Sequence, residues 1–350
     1  MYTTNMKKVR VAINGFGRIG RSFFRVAKDR KEIEIVAIND LGNIDNIAYL
    51  LKYDTVYGKS PHNIEVSADH KALIVDGESI EFLSERNPQK LPWRDHDIDV
   101  ALESTGVFAS YEKSKMHLDA GAKRVVVSAP VKDAPPSGIS GATVLMGVNE
   151  DKLKTCDISS NASCTTNAGT PLIAILQESV GIEKALLNTI HGYTASQSLV
   201  DAPNSKDFRK GRAAAQNIVP TTTGAAVATT KAITELENLF DGIAVRVPTV
   251  AGSLVDVTFV AKRKTSVEEI NGILKKAAGE KRWKDVFSVT EEQLVSSDIL
   301  GSQYASIADL SFTKVIDGNL VKVLSWYDNE MGYTHTLVDH VVKTGAYTKR

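Results

Sequence analysis

A strand-like run, Val9 to Ile13, leads straight into Gly15-Phe16-Gly17-Arg18-Ile19-Gly20, and a helical segment, Ile19 to Lys28, follows at once. The first glycine permits a tight turn, the second lets backbone approach a pyrophosphate, and the third allows close helix–strand packing. A diphosphate would then sit on the helix N-terminus, where unpaired N–H groups and the dipole favour an anion. A second strand, Ile33 to Asn39, completes a βαβ unit and places Asp40 about twenty residues past Gly20. A carboxylate there can accept both ribose hydroxyls of NAD. A 2′-phosphate would set like charges side by side, costing roughly 4 kcal/mol at 4 Å and an effective dielectric of 20, less where solvent screens it. NAD is therefore favoured over NADP. The competing reading of Asp40 is a turn residue within Asn39-Asp40-Leu41-Gly42.

Later strands are expected over Val100 to Glu103, Arg124 to Ser128 and Thr143 to Gly147, with helical segments between strands. That alternation implies an α/β, Rossmann-type doubly wound parallel sheet. Further on the pattern changes to long β-rich runs, Ala185 to His191, Ile243 to Arg263, Ala305 to Thr313 and Leu320 to Tyr327. These read as antiparallel, so an α+β domain with a mainly antiparallel sheet is expected. The boundaries are 1–163 for the nucleotide domain, completed by a C-terminal helix at about 330–350, and 164–329 for the second domain. Ser266-Val267-Glu268-Glu269 is a capping box, and Val267, Ile270, Ile273, Leu274 and Ala277 share one face of the helix it opens. Between Tyr193 and Pro220 the chain is polar, with little periodicity, and reads either as a long ordered loop or as a loop with a helix over Arg209 to Ala215.

Cys164 lies in Ser160-Asn161-Ala162-Ser163-Cys164-Thr165-Thr166-Asn167, just before the apolar run Pro171 to Leu176. A thiol at a helix N-terminus is biased towards thiolate, and an unperturbed one is only about 3% ionised at pH 7. A buried structural cysteine is the alternative, but Ser163, Thr165 and Thr166 are poor lining for an apolar pocket. Pro171 requires the helix to start late or to kink. Arg246 interrupts an apolar strand. A buried guanidinium needs an anion, either a ligand phosphate or a structural carboxylate.

The charges balance, with 42 Lys plus Arg against 42 Asp plus Glu. No global field draws nucleic acid or an anionic membrane, so any anion site is local. Two cysteines are too few for a disulfide framework and suit a reducing cytosol. No signal peptide, membrane span or metal site is expected, and the first five or six residues are expected to form a loose tail.

Several stretches together resemble the phosphorylating glyceraldehyde-3-phosphate dehydrogenases over nearly the whole chain. They are Ile13-Asn14-Gly15-Phe16-Gly17-Arg18-Ile19-Gly20-Arg21, Ser163-Cys164-Thr165-Thr166-Asn167, His191-Gly192-Tyr193-Thr194, Pro220-Thr221-Thr222-Thr223-Gly224-Ala225-Ala226, Arg246-Val247-Pro248-Thr249 and Ser325-Trp326-Tyr327-Asp328-Asn329-Glu330. The resemblance implies that Cys164 is the nucleophile and His191 its activator and proton relay. Asn14, Gly15, Gly17, Arg18, Ile19, Gly20, Asp40, Arg86, Ser128 and Asn329 would contact NAD. Ser163, Thr165, Thr223 and Gly224, with Arg209 nearby, would bind one phosphate group, and Thr194 and Arg246 the other. The loop from about Tyr193 to Pro220 would pack against neighbours in a homotetramer. Three positions depart from the family pattern: Ala168 replaces a frequent second cysteine, Met331 a frequent tryptophan, and Ser196 stands where relatives vary between Thr and Asp.

The implied reaction is cytoplasmic oxidation of glyceraldehyde 3-phosphate with inorganic phosphate, through a cysteine thiohemiacetal and thioester. A neutral imidazole is a suitable base for it near pH 7. The remaining histidines, His62, His70, His96, His117, His335 and His340, are read as surface or packing residues. Rival readings are an erythrose-4-phosphate dehydrogenase, which hydrolyses its thioester, a relative that uses NADP, and a nucleotide-groove RNA binder, which the zero net charge disfavours.

Overall fold

The structure, a computed structural model, describes residues 8–348, and the expected N-terminal tail lies outside them. The chain divides into two compact units. One takes the residues up to Val144 together with Asn149–Ala162 and the segment from Leu337 onward, and the other takes Leu145–Val148 and Ser163–Thr336.

The first unit runs β1 (Val9–Asn14), α1 (Arg18–Ala27), β2 (Ile33–Asn39), α2 (Ile44–Lys52), the short ladder β3 (Tyr53–Asp54) with β4 (Gly58–Lys59), then β5 (Ile64–Val66), β6 (Ala72–Val75) and β7 (Glu78–Leu83). It continues with β8 (Val100–Glu103), α3 (Tyr111–Asp119), β9 (Arg124–Val127), β10 (Gly141–Thr143) and β11 (Ile158–Ser160). Its main sheet has the order β10-β11-β9-β8-β1-β2-β7-β6-β5 and is parallel except for the β5-β6-β7 edge. Strands β1, β8 and β9 are buried almost throughout, as a sheet covered on both faces requires. From β1 the chain builds outward to β2 and β7, then returns to β8 on the other side. The strand order reverses between β1 and β8, where α/β sheets open a ligand crevice at their carboxyl ends. The expected strand over Thr143 to Gly147 stops at Thr143. Val144, Leu145 and Met146 continue the buried run past the end of the strand, and Gly147, at φ +75°, turns the chain.

Within this unit His340 is fully buried, with Nε2 2.7 Å from Ser159 Oγ and Nδ1 3.0 Å from Asn161 Oδ1. Nδ1–H donates to the amide and Nε2 accepts from the hydroxyl, so the ring is satisfied as a neutral species. Burial lowers its pKa from 6.5 to about 3. The unfolded chain then binds the extra proton as pH falls through 6.5, while the folded chain does not, so stability is complete above that pH and declines below it. At pH 5 the loss from this group is about 2 kcal/mol. Urea midpoints measured at pH 8 and pH 5 should differ accordingly, and His340→Gln should flatten the dependence by one proton. An unchanged slope in that variant would refute the assignment.

The second unit runs α4 (Cys164–Ser179), β12 (Ile182–Gly192), β13 (Val219–Thr222), α5 (Ala225–Ala232), β14 (Phe240–Val247), β15 (Ser253–Ala261), α6 (Val267–Ala278), β16 (Phe287–Thr290), β17 (Ser306–Ile316) and β18 (Leu320–Tyr327). Helix α7 (Met331–Ala346) follows β18. The sheet order is β13-β14-β12-β15-β18-β17-β16. It is mainly antiparallel, as expected, but β12 with β14 and β16 with β17 run parallel. The long Ile243–Arg263 run is two strands, broken where Pro248 cannot donate to a ladder and Gly252 turns at φ +87°. A Cβ on Gly252 would lie 2.4 Å from the Ser296 carbonyl oxygen, so only glycine fits there.

Alternate residues of β15 and β18 point into one core with α4 and α6, including Val255, Val257, Phe259, Val321, Val323 and Tyr327. The capping box forms its first half: Ser266 Oγ accepts from Glu269 N at 3.2 Å, while the Glu269 carboxylate turns to Arg263 and Thr265. The polar stretch after Tyr193 is a loop with one 3-10 turn, Phe208–Gly211, and no α-helix over Arg209 to Ala215. Asp207 caps that turn and also holds the Arg209 side chain, which fixes the turn without a regular helix.

Candidate active site

Helix α4 begins at Cys164 itself. Ser163 is its N-cap, with Oγ accepting from Thr166 N at 3.1 Å, and that cap fixes the start despite Pro171. Pro171 sits inside the helix, where it forgoes one backbone bond; the surrounding turns, Thr165 to Leu176, are all buried and held by packing. The thiol thus lies in the first turn, as expected from the sequence.

Strand β12 delivers His191 on the same buried face as Ala185, Leu187 and Thr189. Its Nε2 is 3.3 Å from Cys164 Sγ. In the parallel register His191 stands opposite Arg246 on β14, which brings Arg246 Nη1 to 2.8 Å from His191 Nδ1 and 3.0 Å from the Gly192 carbonyl oxygen. No carboxylate pairs with this guanidinium among the described residues, and its Nε is buried without a partner. Of the two partners considered for Arg246, the structural carboxylate is absent.

Tyr327, at the end of β18, packs its ring edge-on to His191 with centroids 6.0 Å apart. Its hydroxyl lies 3.0 Å from Thr165 Oγ1 and 2.7 Å from Thr189 Oγ1. This hydroxyl chain beneath the sulfur has no single motif behind it, although strand alternation puts Tyr327 and Thr189 on core-facing positions. Ser253 is a second residue that sequence reasoning missed. It accepts from Gly192 N at 3.2 Å and donates to Asn329 Oδ1 at 2.9 Å. Asn329 Oδ1 also accepts from Gly252 N.

Electrostatics favour a neutral pair. Burial pushes the Cys164 thiol up, while Arg246 and the Thr165 N–H and hydroxyl pull it down. Burial and then Arg246 lower His191 to about 3, with the Gly192 carbonyl opposing them. The helix-end bias towards thiolate is therefore outweighed here by desolvation.

The other phosphate candidates lie apart in the hydrogen-bond network. Thr194 Oγ1 meets Ser196 Oγ at 2.9 Å, Arg209 pairs with Asp207, and Thr223 Oγ1 accepts from Ala225 N. Gly224 is the N-cap of α5, and a Cβ there would meet nothing within 4 Å. Ser163 and Thr165 direct their hydroxyls to Thr166 and Tyr327.

At the first unit's crevice the three glycines differ in the way a dinucleotide requires. A Cβ on Gly15, at φ +94°, would fall 2.6 Å from Thr105 N, and one on Gly20 would fall 2.2 Å from the Gly15 carbonyl oxygen. A Cβ on Gly17 would meet nothing within 4 Å, so backbone and helix N-terminus are open there. These residues fit a bound diphosphate. Asp40 accepts from Phe16 N at 2.6 Å and from Gly42 N at 2.8 Å, so the turn role is real and the carboxylate also braces the glycine loop. Arg18 forks onto Asp54, and Ile19 is half-buried beside it.

The Asn14 side chain is committed internally: it donates to Glu103 Oε2 and accepts from Asn39. Asn39 in turn clasps the backbone of Glu85, which sets exposed Arg86 just beyond the end of β7. Ser128 follows the last residue of β9 and donates its N–H to the Glu103 carbonyl.

Two family models match the chain. One, described as "Glyceraldehyde 3-phosphate dehydrogenase, NAD binding domain", covers residues 9–111, and the other, "Glyceraldehyde 3-phosphate dehydrogenase, C-terminal domain", covers residues 163–329. The chain belongs to the glyceraldehyde-3-phosphate dehydrogenase family. It is 46% identical to the glyceraldehyde-3-phosphate dehydrogenase of Streptomyces coelicolor over 96% of this chain and 98% of that one. Identity to glyceraldehyde-3-phosphate dehydrogenase 3 of Kluyveromyces marxianus is 47% over 95% and 98%, and to the Geobacillus stearothermophilus protein 46% over 95% and 96%. Of the departures from the family pattern, Ala168 is a fully buried residue of α4 on its core side and Met331 is a buried first residue of α7.

Proposed function

We propose that this chain catalyses NAD-dependent oxidative phosphorylation of D-glyceraldehyde 3-phosphate to 1,3-bisphosphoglycerate. The observation that carries the reading is the Cys164–His191 contact at the head of α4, beside a guanidinium without a carboxylate. Cys164 attacks the aldehyde carbon and forms a thiohemiacetal, its proton passing through His191 Nε2 to the former carbonyl oxygen, which leaves His191 neutral for the next step. NAD, when bound, accepts the hydride from that carbon. His191 takes the hydroxyl proton as the thioester forms, and inorganic phosphate then cleaves the thioester to an acyl phosphate. Arg246 and Thr194 hold the substrate phosphate. Ser163, Thr165, Thr223 and Gly224, with Arg209, guide the incoming phosphate. Gly15, Gly17, Gly20 and the α1 N-terminus take the NAD diphosphate, Asp40 the ribose, and Asn14, Arg18, Ile19, Arg86, Ser128 and Asn329 complete the cofactor site.

Residues 1–163 with the C-terminal helix act as the NAD-binding domain, and 164–329 as the catalytic domain. The chain works as a homotetramer in the cytoplasm. Exposed apolar side chains support the assembly: Leu199 and Phe208 in the long loop are 77% and 84% exposed, and Leu186 on β12 is 66% exposed. No helix among the described residues is long and apolar enough to cross a membrane.

Reduction of NAD and of NADP should be measured with glyceraldehyde 3-phosphate, with and without inorganic phosphate. Turnover independent of phosphate would overturn the phosphorylating assignment in favour of a hydrolytic relative. Asp40→Asn keeps an acceptor for the glycine loop but removes the charge. It should raise the NADP-to-NAD ratio of kcat/KM by about tenfold, a discounted share of the like-charge repulsion at a partly exposed site. An unchanged ratio would show that Asp40 does not discriminate.

A further inference from the structure

One row of buried polar side chains crosses the ends of the neighbouring strands β7, β2, β1 and β8, and obligate donors fix its direction from both sides. The Glu85 N–H donates to Asn39 Oδ1 at 2.8 Å and the Glu85 carbonyl accepts from Asn39 Nδ2 at 2.9 Å, so that amide cannot turn over. Asn39 Nδ2 therefore donates to Asn14 Oδ1 at 2.7 Å, and Asn14 Nδ2 donates to Glu103 Oε2 at 2.6 Å. From the other side Trp93 Nε1–H, which can only donate, meets His117 Nδ1 at 3.0 Å. The ring is thereby neutral with its proton on Nε2, which donates to Glu103 Oε2 at 3.0 Å. Asn14 Nδ2 and His117 Nε2 stand 3.5 Å apart, as two donors to one oxygen do. Glu103 Oε1 accepts from Thr105 N at 2.8 Å and from the Thr105 hydroxyl. Four donors thus converge on a carboxylate that is 1% exposed, and among the described residues no lysine or arginine pairs with it.

The row lies at the carboxyl ends of the strands, where the ligand crevice opens. Asn14 precedes Gly15, Asn39 precedes Asp40 and Glu85 precedes Arg86, so three of its members each adjoin a residue assigned to the cofactor. The segment after Glu103 is the floor of the glycine turn. Thr105 N lies 2.6 Å from where a Cβ on Gly15 would fall, and Ser104 Oγ donates to the Gly15 carbonyl at 2.7 Å. We propose that Glu103, oriented by His117 and Trp93, is a positioning residue for NAD: it holds four strand ends at the spacing that lets the glycine turn, Asp40 and Arg86 engage one dinucleotide together. This rests on the reading of that crevice as the NAD site. No step of the reaction passes through Glu103 or His117. The polarity of the hydrogen bonds sets the spacing, and an ion pair does not, because a protonated His117 would aim Nδ1–H at the Trp93 indole N–H.

The test is NAD affinity by titration calorimetry, with steady-state kinetics and urea midpoints, on the full-length wild type and three variants. Glu103→Gln sets an amide N–H against either Thr105 N–H or the Asn14 and His117 donors. His117→Leu leaves the Trp93 indole and one carboxylate lone pair without partners. Each should raise the Kd and KM for NAD by about tenfold, with kcat at saturating NAD and the KM for glyceraldehyde 3-phosphate within about twofold of wild type. His117→Gln offers an N–H to Glu103 and a carbonyl to Trp93, and should bind NAD within about twofold of wild type. A lower urea midpoint with unchanged NAD affinity in Glu103→Gln and His117→Leu would show a role in stability alone and overturn the proposal. So would equal losses of affinity in His117→Gln and His117→Leu, the result an ion pair predicts. Should the two disruptive variants not fold, 15N NMR of wild type carrying 15N-labelled histidine decides, with His117→Gln assigning the ring: neutral Nε2–H is expected, and Nδ1–H or a protonated ring overturns the proposal. A wild type that does not bind NAD would instead overturn the reading of the crevice, whereas NAD binding indifferent to these changes loses only this inference.

Discussion

Cys164→Ser should reduce turnover by about 10⁴-fold or more while leaving NAD affinity within a factor of two. The hydroxyl is nearly isosteric, so the Ser163 cap and the start of α4 persist. What disappears is a nucleophile that can ionise near neutrality, because an alcohol offers far less anion than a thiol at pH 7. The intermediate differs too, since an oxygen ester holds less group-transfer potential than a thioester and would yield an acyl phosphate poorly. Acid quench of the working wild-type enzyme followed by mass spectrometry should find an acyl group on Cys164, absent in the variant. Full activity in Cys164→Ser would remove the covalent mechanism altogether.

His191→Asn should lower kcat by about 10²- to 10⁴-fold, the range expected when a positioned base is lost. KM should change much less, because the phosphate contacts assigned to Arg246 and Thr194 remain. The rate of Cys164 alkylation by iodoacetamide at pH 7 should fall as well, since His191 Nε2, 3.3 Å from the sulfur, is the base placed to take its proton. A variant whose kcat stays within threefold of wild type would reassign the base.

The glycine motif and Asp40 were legible because their chemistry is written into consecutive residues and one fixed interval. The close contacts at Gly15 and Gly20 match the tight turn and the close packing expected of them, and a Cβ on Gly17 would meet open space. The start of α4 was legible through Ser163, whereas the effect of Pro171 was not, since only tertiary burial keeps a proline inside a helix. The brace from Asp40 to Phe16 N escaped a reading that weighed only ribose binding against a turn role. Strand direction was hidden more deeply. Nothing in the alternation of β14 says that it lies parallel to β12, and that pairing alone sets Arg246 opposite His191. Tyr327 and Ser253 were missed for the same reason, because the pairing of β15 with β12 and with β18 brings them to the site. The Thr143–Gly147 strand was drawn too long because apolar content continues to Met146 while the chain turns at Gly147, and apolar content alone does not show where a ladder ends.

The parallel alignment of β12 and β14 ties two chemical functions to one mechanical coordinate. Inserting or deleting a single residue in either strand would send both polar groups to opposite sides of the sheet. Such indels should be as damaging as loss of the sulfur itself, even with every side chain of the reaction intact. Drift in this part of the chain is thereby confined to substitutions, and tolerated changes in length belong in the turns.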